Sequence, residues 1–145
     1  MTKKRNDDNS TPFGLWIRDV KELDSKFGFT GNNLDFFWWN YKTKKWMFIE
    51  EKSHWATLTI SQKQSFPILD KLARADENYQ GFYIITLENT TPNDGNCYIS
   101  TLDDPNRFKV STENLIKFLR FEITFEKIVI IFAEEIKKKY KNGSN

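Results

Sequence analysis

Residues Leu34 to Lys52, LDFFWWNYKTKKWMFIEEK, hold two apolar, aromatic runs separated by one polar break, Asn40 to Lys45. Bulky aromatic and β-branched side chains favour a pleated, buried surface, so the stretch predicts two strands joined by a turn. An even turn centred on Lys42 and Thr43 sets Trp39 against Trp46, Phe37 against Phe48 and Asp35 against Glu50. Directly opposed Cβ atoms in an antiparallel pair lie roughly 4.5 to 5.5 Å apart, which brings two carboxylates to one point. Side chains alternate along a strand, so Lys52 shares the face of Glu50 and Glu51 turns to the other side. An odd turn pairs Asp35 with Glu51 instead.

The remaining composition limits what those carboxylates can serve. The chain has 145 residues, 39% hydrophobic and 16% aromatic, enough for one core-bearing domain over residues 12–145 behind a disordered tail over residues 1–11. With one cysteine and one histidine, intrachain disulfides, four-cysteine zinc sites and Cys-x-x-Cys redox motifs are excluded. Oxygen ligands remain, and these suit magnesium, manganese or calcium. The net charge of +2 does not by itself announce a nucleic-acid binder, so any such surface must come from local clustering. No stretch approaches the roughly 20 apolar residues of a membrane span, and the polar start lacks the apolar core of a secretory signal. An intracellular, cytoplasmic protein without a membrane partner is the expectation.

Around the hairpin the periodicity predicts an α/β chain. Leu15, Trp16, Val20, Leu23 and Phe27 recur at helical spacing, and Gly28 stops that helix. A second helix is expected over Ile60 to Ala75, with Thr59 and Gln62, or Ser61 and Gln64, as a capping box and Phe66, Leu69, Leu72 and Ala73 as its buried stripe. Pro67 must kink this helix or mark a later start. Gly81 to Leu87 reads as a buried strand, and Asp94 with Gly95 suits a tight hairpin turn. Cys97 to Leu102 and Arg107 to Val110 read as short strands at the edge, and Ser111 or Thr112 caps a helix reaching Phe121. Glu122 to Tyr140 carries a helical stripe, although Lys127 to Phe132 has strand propensity; length and charge pattern favour helix.

The order helix, hairpin with terminal acids, helix, buried strand resembles the PD-(D/E)XK nuclease superfamily over Trp16 to Leu87. Asp35 stands in the place of that motif's second acid, and Glu50, Glu51 and Lys52 form the E-x-K triplet. The wording of Ile17 to Lys52 is also similar to small proteins of phages and archaeal viruses. The resemblance implies a restriction-endonuclease-like core, a mixed sheet whose antiparallel hairpin is flanked by helices. It implies a Mg2+-dependent phosphodiesterase, with Mn2+ as a substitute, acting on DNA in preference to RNA. Asp35 and Glu50 would bind the metal, Glu51 would be the reserve ligand, Lys52 would assist the attacking water, and Gln62 would touch the water or the lysine. Asp35 lacks the proline that often precedes the acid, and only Gly28 to Asn33 is placed to supply the first of the usual three strands.

Each residue also has a plainer reading. A carboxylate two residues before a lysine recurs at Asp19, Asp24 and Glu135, so the triplet gains meaning only from its position after the apolar run Trp46 to Ile49. Gln62 is explained equally by helix capping. Most tryptophans at strand spacing are expected in the core. Trp55, in a turn, is instead a candidate for stacking on a base, and Lys42, Lys44 and Lys45 for contacting phosphate. The alternatives to an enzyme are a non-catalytic viral or mobile-element module binding nucleic acid or a host protein, and a homodimer built on the stripe Ile128 to Ile136.

Overall fold

The structure, a computed structural model, describes residues 11–29 and 31–143. They fall into two compact units, the first ending at Asn32 and the second starting at Asn33. The tail expected over residues 1–11 lies outside the described residues apart from Thr11. Its hydroxyl accepts the Gly14 amide and caps α1, Pro12–Asp19.

The single helix expected up to Gly28 is broken. Val20 and Asp24 are extended, and the 3-10 turns Lys21–Leu23 and Ser25–Phe27 follow α1. The Asp24 carboxylate caps the second turn by accepting the Lys26 amide, a local bond that competes with continuing the helix. Gly28 does end the segment, with φ of 97°.

The second unit is α/β, a five-stranded mixed sheet in the order β1 (Phe36–Trp39), β2 (Trp46–Lys52), β3 (Tyr79–Leu87), β4 (Cys97–Thr101) and β5 (Phe108–Val110). β1 and β2 form the antiparallel hairpin. β3 runs parallel to β2 after the crossover helix α2, Ile60–Ala73, and β4 and β5 continue antiparallel. The sequence then adds α3, Thr112–Leu119, and α4, Phe125–Gly143. No strand precedes β1 among the described residues. Among the same residues, no helix is long and apolar enough to cross a membrane.

The period-two alternation of β2 separates two faces. Met47 and Ile49 join Tyr83, Ile85, Leu87 and Ile99 in a core closed by Leu115 and Phe118 of α3 and Ile128 of α4. On the other face Phe48 and Phe82 pack together, and Phe66 of α2 lies on Phe82. Phe66 is 1% exposed. A bulge sets two residue steps of β2 against three of β3 between Trp46–Tyr79 and Phe48–Phe82. Gly81 makes it feasible, since its φ is +128° and a Cβ there would stand 2.7 Å from the Tyr83 hydroxyl.

Several sequence expectations change in three dimensions. α2 runs through Pro67 from the expected start, so the proline does not mark a later one. Leu69 and Leu72 are exposed rather than buried, because Gln62, Phe66, Asp70 and Ala73 form the inward stripe. Asp70 is tolerated inside because Arg74 and the Tyr79 hydroxyl both donate to it. Trp38 and Trp39 are exposed rather than core, because β1 is a sheet edge. Asp94 and Gly95 belong to a nine-residue loop, 88–96, not a two-residue turn. There the Asp94 carboxylate takes up the Thr90 and Thr91 amides and the Thr90 hydroxyl. Of the two short strands expected at the edge, β4 is interior to the sheet and β5 alone lies at an edge, opposite β1. α4 is helical from Phe125, and its apolar stripe is partly spent within the chain: Ile128 is buried and Phe132 packs on Phe108.

Candidate active site

The hairpin has the even register. Trp39 pairs with Trp46 and Phe37 with Phe48. The turn is set by Asn40, whose side-chain oxygen accepts the Lys42 and Thr43 amides, and by Lys44 in the left-handed region at φ 68°. Main-chain bonds from Asn40 to Lys45 and from Lys44 to Asn40 close it. One step beyond the ladder, Asp35 and Glu50 stand opposite each other. The Asp35 amide donates to Glu50 Oε2 at 3.3 Å, and Asp35 Oδ2 accepts the Glu51 amide at 2.8 Å.

Glu50 is 3% exposed, at the inner end of the α2-facing side of β2. Its Oε1 accepts Gln62 Nε2 at 3.1 Å and lies 3.6 Å from Lys52 Nζ. Lys52 Nζ in turn donates to Gln62 Oε1 at 2.9 Å. Gln62 thus contacts the lysine and caps α2 through one atom, because the same oxygen accepts the Thr59 amide in the capping box. The box fixes the first turn of α2, and the first turn delivers the amide to the carboxylate.

Burial pushes the Glu50 carboxyl above the usual range, and the negative charge of Asp35 adds to that rise; the Asp35 amide and Lys52 oppose it. A hard cation between the two carboxylates would relieve both the desolvation and the repulsion, so the donor chemistry fits Mg2+ or Mn2+. Among the described residues no group of three or more His, Cys, Asp or Glu side chains is gathered to hold a metal. Asp35 and Glu50 would thus have to be completed by water, main-chain oxygen or substrate oxygen, as magnesium sites commonly are.

The structure brings together Asp35, Glu50, Lys52 and Gln62 and leaves Glu51 apart. Glu51 is exposed on the opposite side of the strand, where Ser53 donates to its Oε1 at 3.3 Å. Lys42, Lys44 and Lys45 sit at the far end of the hairpin. Five residue steps separate Lys45 from Glu50, about 16 Å, too far to share one phosphate with the carboxylates. Lys44 Nζ lies 5.5 Å over the Trp39 ring.

Trp55 is 43% exposed and held in the left-handed region at φ 62°, next to His54 at φ 52°. Its amide donates to the Leu87 carbonyl, and its ring lies 4.9 Å from Tyr98 with the Arg107 guanidinium 5.7 Å away. Thr86 had no signal in the sequence: it is an ordinary residue of a later segment, and only the pairing of β2 with β3 carries it beside Lys52. Compared with known proteins, the chain matches no family model, no curated protein and no solved structure.

Proposed function

We propose that this chain is a metal-dependent nuclease on a restriction-endonuclease-like core, hydrolysing phosphodiester bonds in DNA in preference to RNA with Mg2+, or Mn2+ in its place. The observation that carries this reading is a buried carboxylate, Glu50, with its charge disfavoured by burial and by the opposed Asp35, while Lys52 and Gln62 converge on the same oxygen. A site organised only for stability would bury an apolar residue here, since an ion pair taken out of water seldom repays its desolvation.

Asp35 and Glu50 would hold the cation. Bound there, a hard divalent ion supplies Lewis acidity toward a phosphate oxygen and acidifies water. Lys52 is the charge closest to Glu50, and its ammonium would orient the attacking water and balance the negative charge that grows on the phosphate. Gln62 holds that ammonium in place from a helix end fixed by its own cap. The β2, α2, β3 order, with parallel strands joined through the helix, supports the core expected from the resemblance.

The test is cleavage of plasmid and single-stranded DNA by the purified chain with magnesium or manganese, beside Glu50→Ala and Lys52→Ala. Loss of cleavage in both folded variants is the expected result, and unchanged cleavage in either refutes the assignment. A second reading, a non-catalytic nucleic-acid-binding module, is favoured by one contact: Lys52 Nζ, 3.6 Å from Glu50 Oε1, balances the charge of that carboxylate. It requires that no divalent ion elicit cleavage.

A further inference from the structure

α2 packs on one face of the sheet through Phe66 against Phe82 of β3, and the same sheet continues onto β4. A recess of about 390 Å³ lies there, bounded by α2, the segment 56–58, β3, β4 and the loop 102–107. Its volume lies in the range of ligand sites. Ile84 and Pro67 supply apolar walls, Thr86 and Ser100 lie on its floor, and Lys63 and Arg107 contribute cations.

Two features mark this as more than a packing gap. Thr86 is 1% exposed, and its hydroxyl is a buried side-chain oxygen with no hydrogen-bond partner among the described residues. An orphaned buried hydroxyl costs stability unless an incoming group satisfies it, and such groups call for an explanation by function. The second feature is position. Thr86 is the register partner of Lys52 and Ile84 that of Glu50, so the floor of the recess starts one strand away from the carboxylates, about 4.8 Å. Ser100, 7% exposed, lies a further strand out as the partner of Ile84.

We propose that this recess is a base subsite: it receives one unstacked nucleobase of the substrate strand, from the nucleotide beside the phosphate at Glu50 and Lys52. The inference rests on the nuclease reading and names its substrate class, a strand with an unpaired nucleotide at the cleaved bond. Apolar walls suit the faces of a base, while a hydroxyl that both donates and accepts suits its edge. Lys63 and Arg107 balance the next phosphate of the same strand. The Trp55 ring, 43% exposed beside Tyr98, offers a stacking surface for a neighbouring base. A base inside an intact duplex must leave its stack and its pair to enter, which an unpaired nucleotide does at lower cost.

The experiment measures binding without turnover, using the full chain with Ca2+ and a fluorescein-labelled oligonucleotide. Three probes of one sequence are compared: single strand, blunt duplex, and single strand with scattered abasic positions. The single strand binds tightest. Thr86→Val, which keeps the shape and removes the hydroxyl, weakens it about fivefold to tenfold. Ala56→Trp, placed at an exposed residue of the rim, fills the recess and weakens it at least as much. Circular dichroism and thermal melting establish that both variants are folded. Equal affinity for all three probes, or wild-type affinity in both variants, overturns the proposal. Displacement of the strand by an equal concentration of free deoxyadenosine monophosphate overturns it in favour of a free-nucleotide pocket. If Glu50→Ala abolishes cleavage while the recess variants bind normally, the subsite alone falls; if the variants lose binding but no cleavage is ever seen, the nuclease reading falls.

Discussion

The side-chain oxygen of Gln62 accepts both Lys52 Nζ, at 2.9 Å, and the Thr59 amide, at 3.0 Å. One atom thus joins the start of α2 to the ammonium beside Glu50. The two tasks can be separated. Thr59→Ala removes the cap hydroxyl and is expected to cost about 1 kcal/mol in urea unfolding while cleavage persists. Gln62→Ala is expected to lose a similar cap contribution and also about 10- to 100-fold in cleavage rate, the scale found for residues that orient metal-site groups. Equal activity losses in the two variants would mean that Gln62 acts only through the helix.

Lys52→Ala is expected to lower the rate about 10²- to 10³-fold, comparable to deleting one donor that stabilises transition-state charge. Its readout is single-turnover cleavage at saturating magnesium. A change confined to metal affinity, with the saturated rate intact, would remove Lys52 from the chemistry.

Glu50 couples stability to pH in a defined direction. Its folded pKa is raised, chiefly by burial and then by Asp35, so between the ordinary glutamate value of about 4.3 and the folded value the native state binds more protons than the unfolded state. Stability therefore falls as pH rises through that interval. Glu50→Gln is expected to flatten this part of the profile, to raise Tm at neutral pH without divalent ions, and to abolish cleavage. In the wild type, added magnesium should raise Tm, and more at neutral pH than below the glutamate range. Melting curves against pH, with and without magnesium, decide it.

The register itself is open to a direct comparison. Asp35→Asn is expected to weaken magnesium binding and cleavage, whereas Glu51→Gln, on the exposed side of β2, is expected to leave both within about twofold, as surface substitutions do. Reversed effects would assign the metal to Glu51.

Two buried groups report on the fold independently of function. Phe66 is enclosed against Phe82, and Phe66→Ala is expected to cost about 3 to 5 kcal/mol in urea unfolding. Cys97 is buried and its thiol is pushed up to about 11, so alkylation by iodoacetamide at neutral pH should follow global unfolding rather than proceed in the folded state. Rapid labelling of the folded protein would reveal local opening at β4.

The hairpin turn is a local quantity, and the sequence narrowed it to two registers, even and odd; the Asn40 side chain and the left-handed Lys44 close the even one. The opposition of Asp35 and Glu50 and the shared face of Lys52 follow from the even register, and the Thr59–Gln62 capping box is one of the two boxes that the sequence offered, with Ser61 and Gln64 the other. What the sequence could not decide lies where distant segments compete for the same surface. Leu69 and Leu72 look like core residues until the sheet face takes Gln62, Phe66 and Asp70 instead, and Trp38 and Trp39 until β1 proves to be an edge. Thr86 beside Lys52 and the recess beyond it exist only because β2 and β3 pair in parallel across α2, a long-range contact that no local pattern encodes.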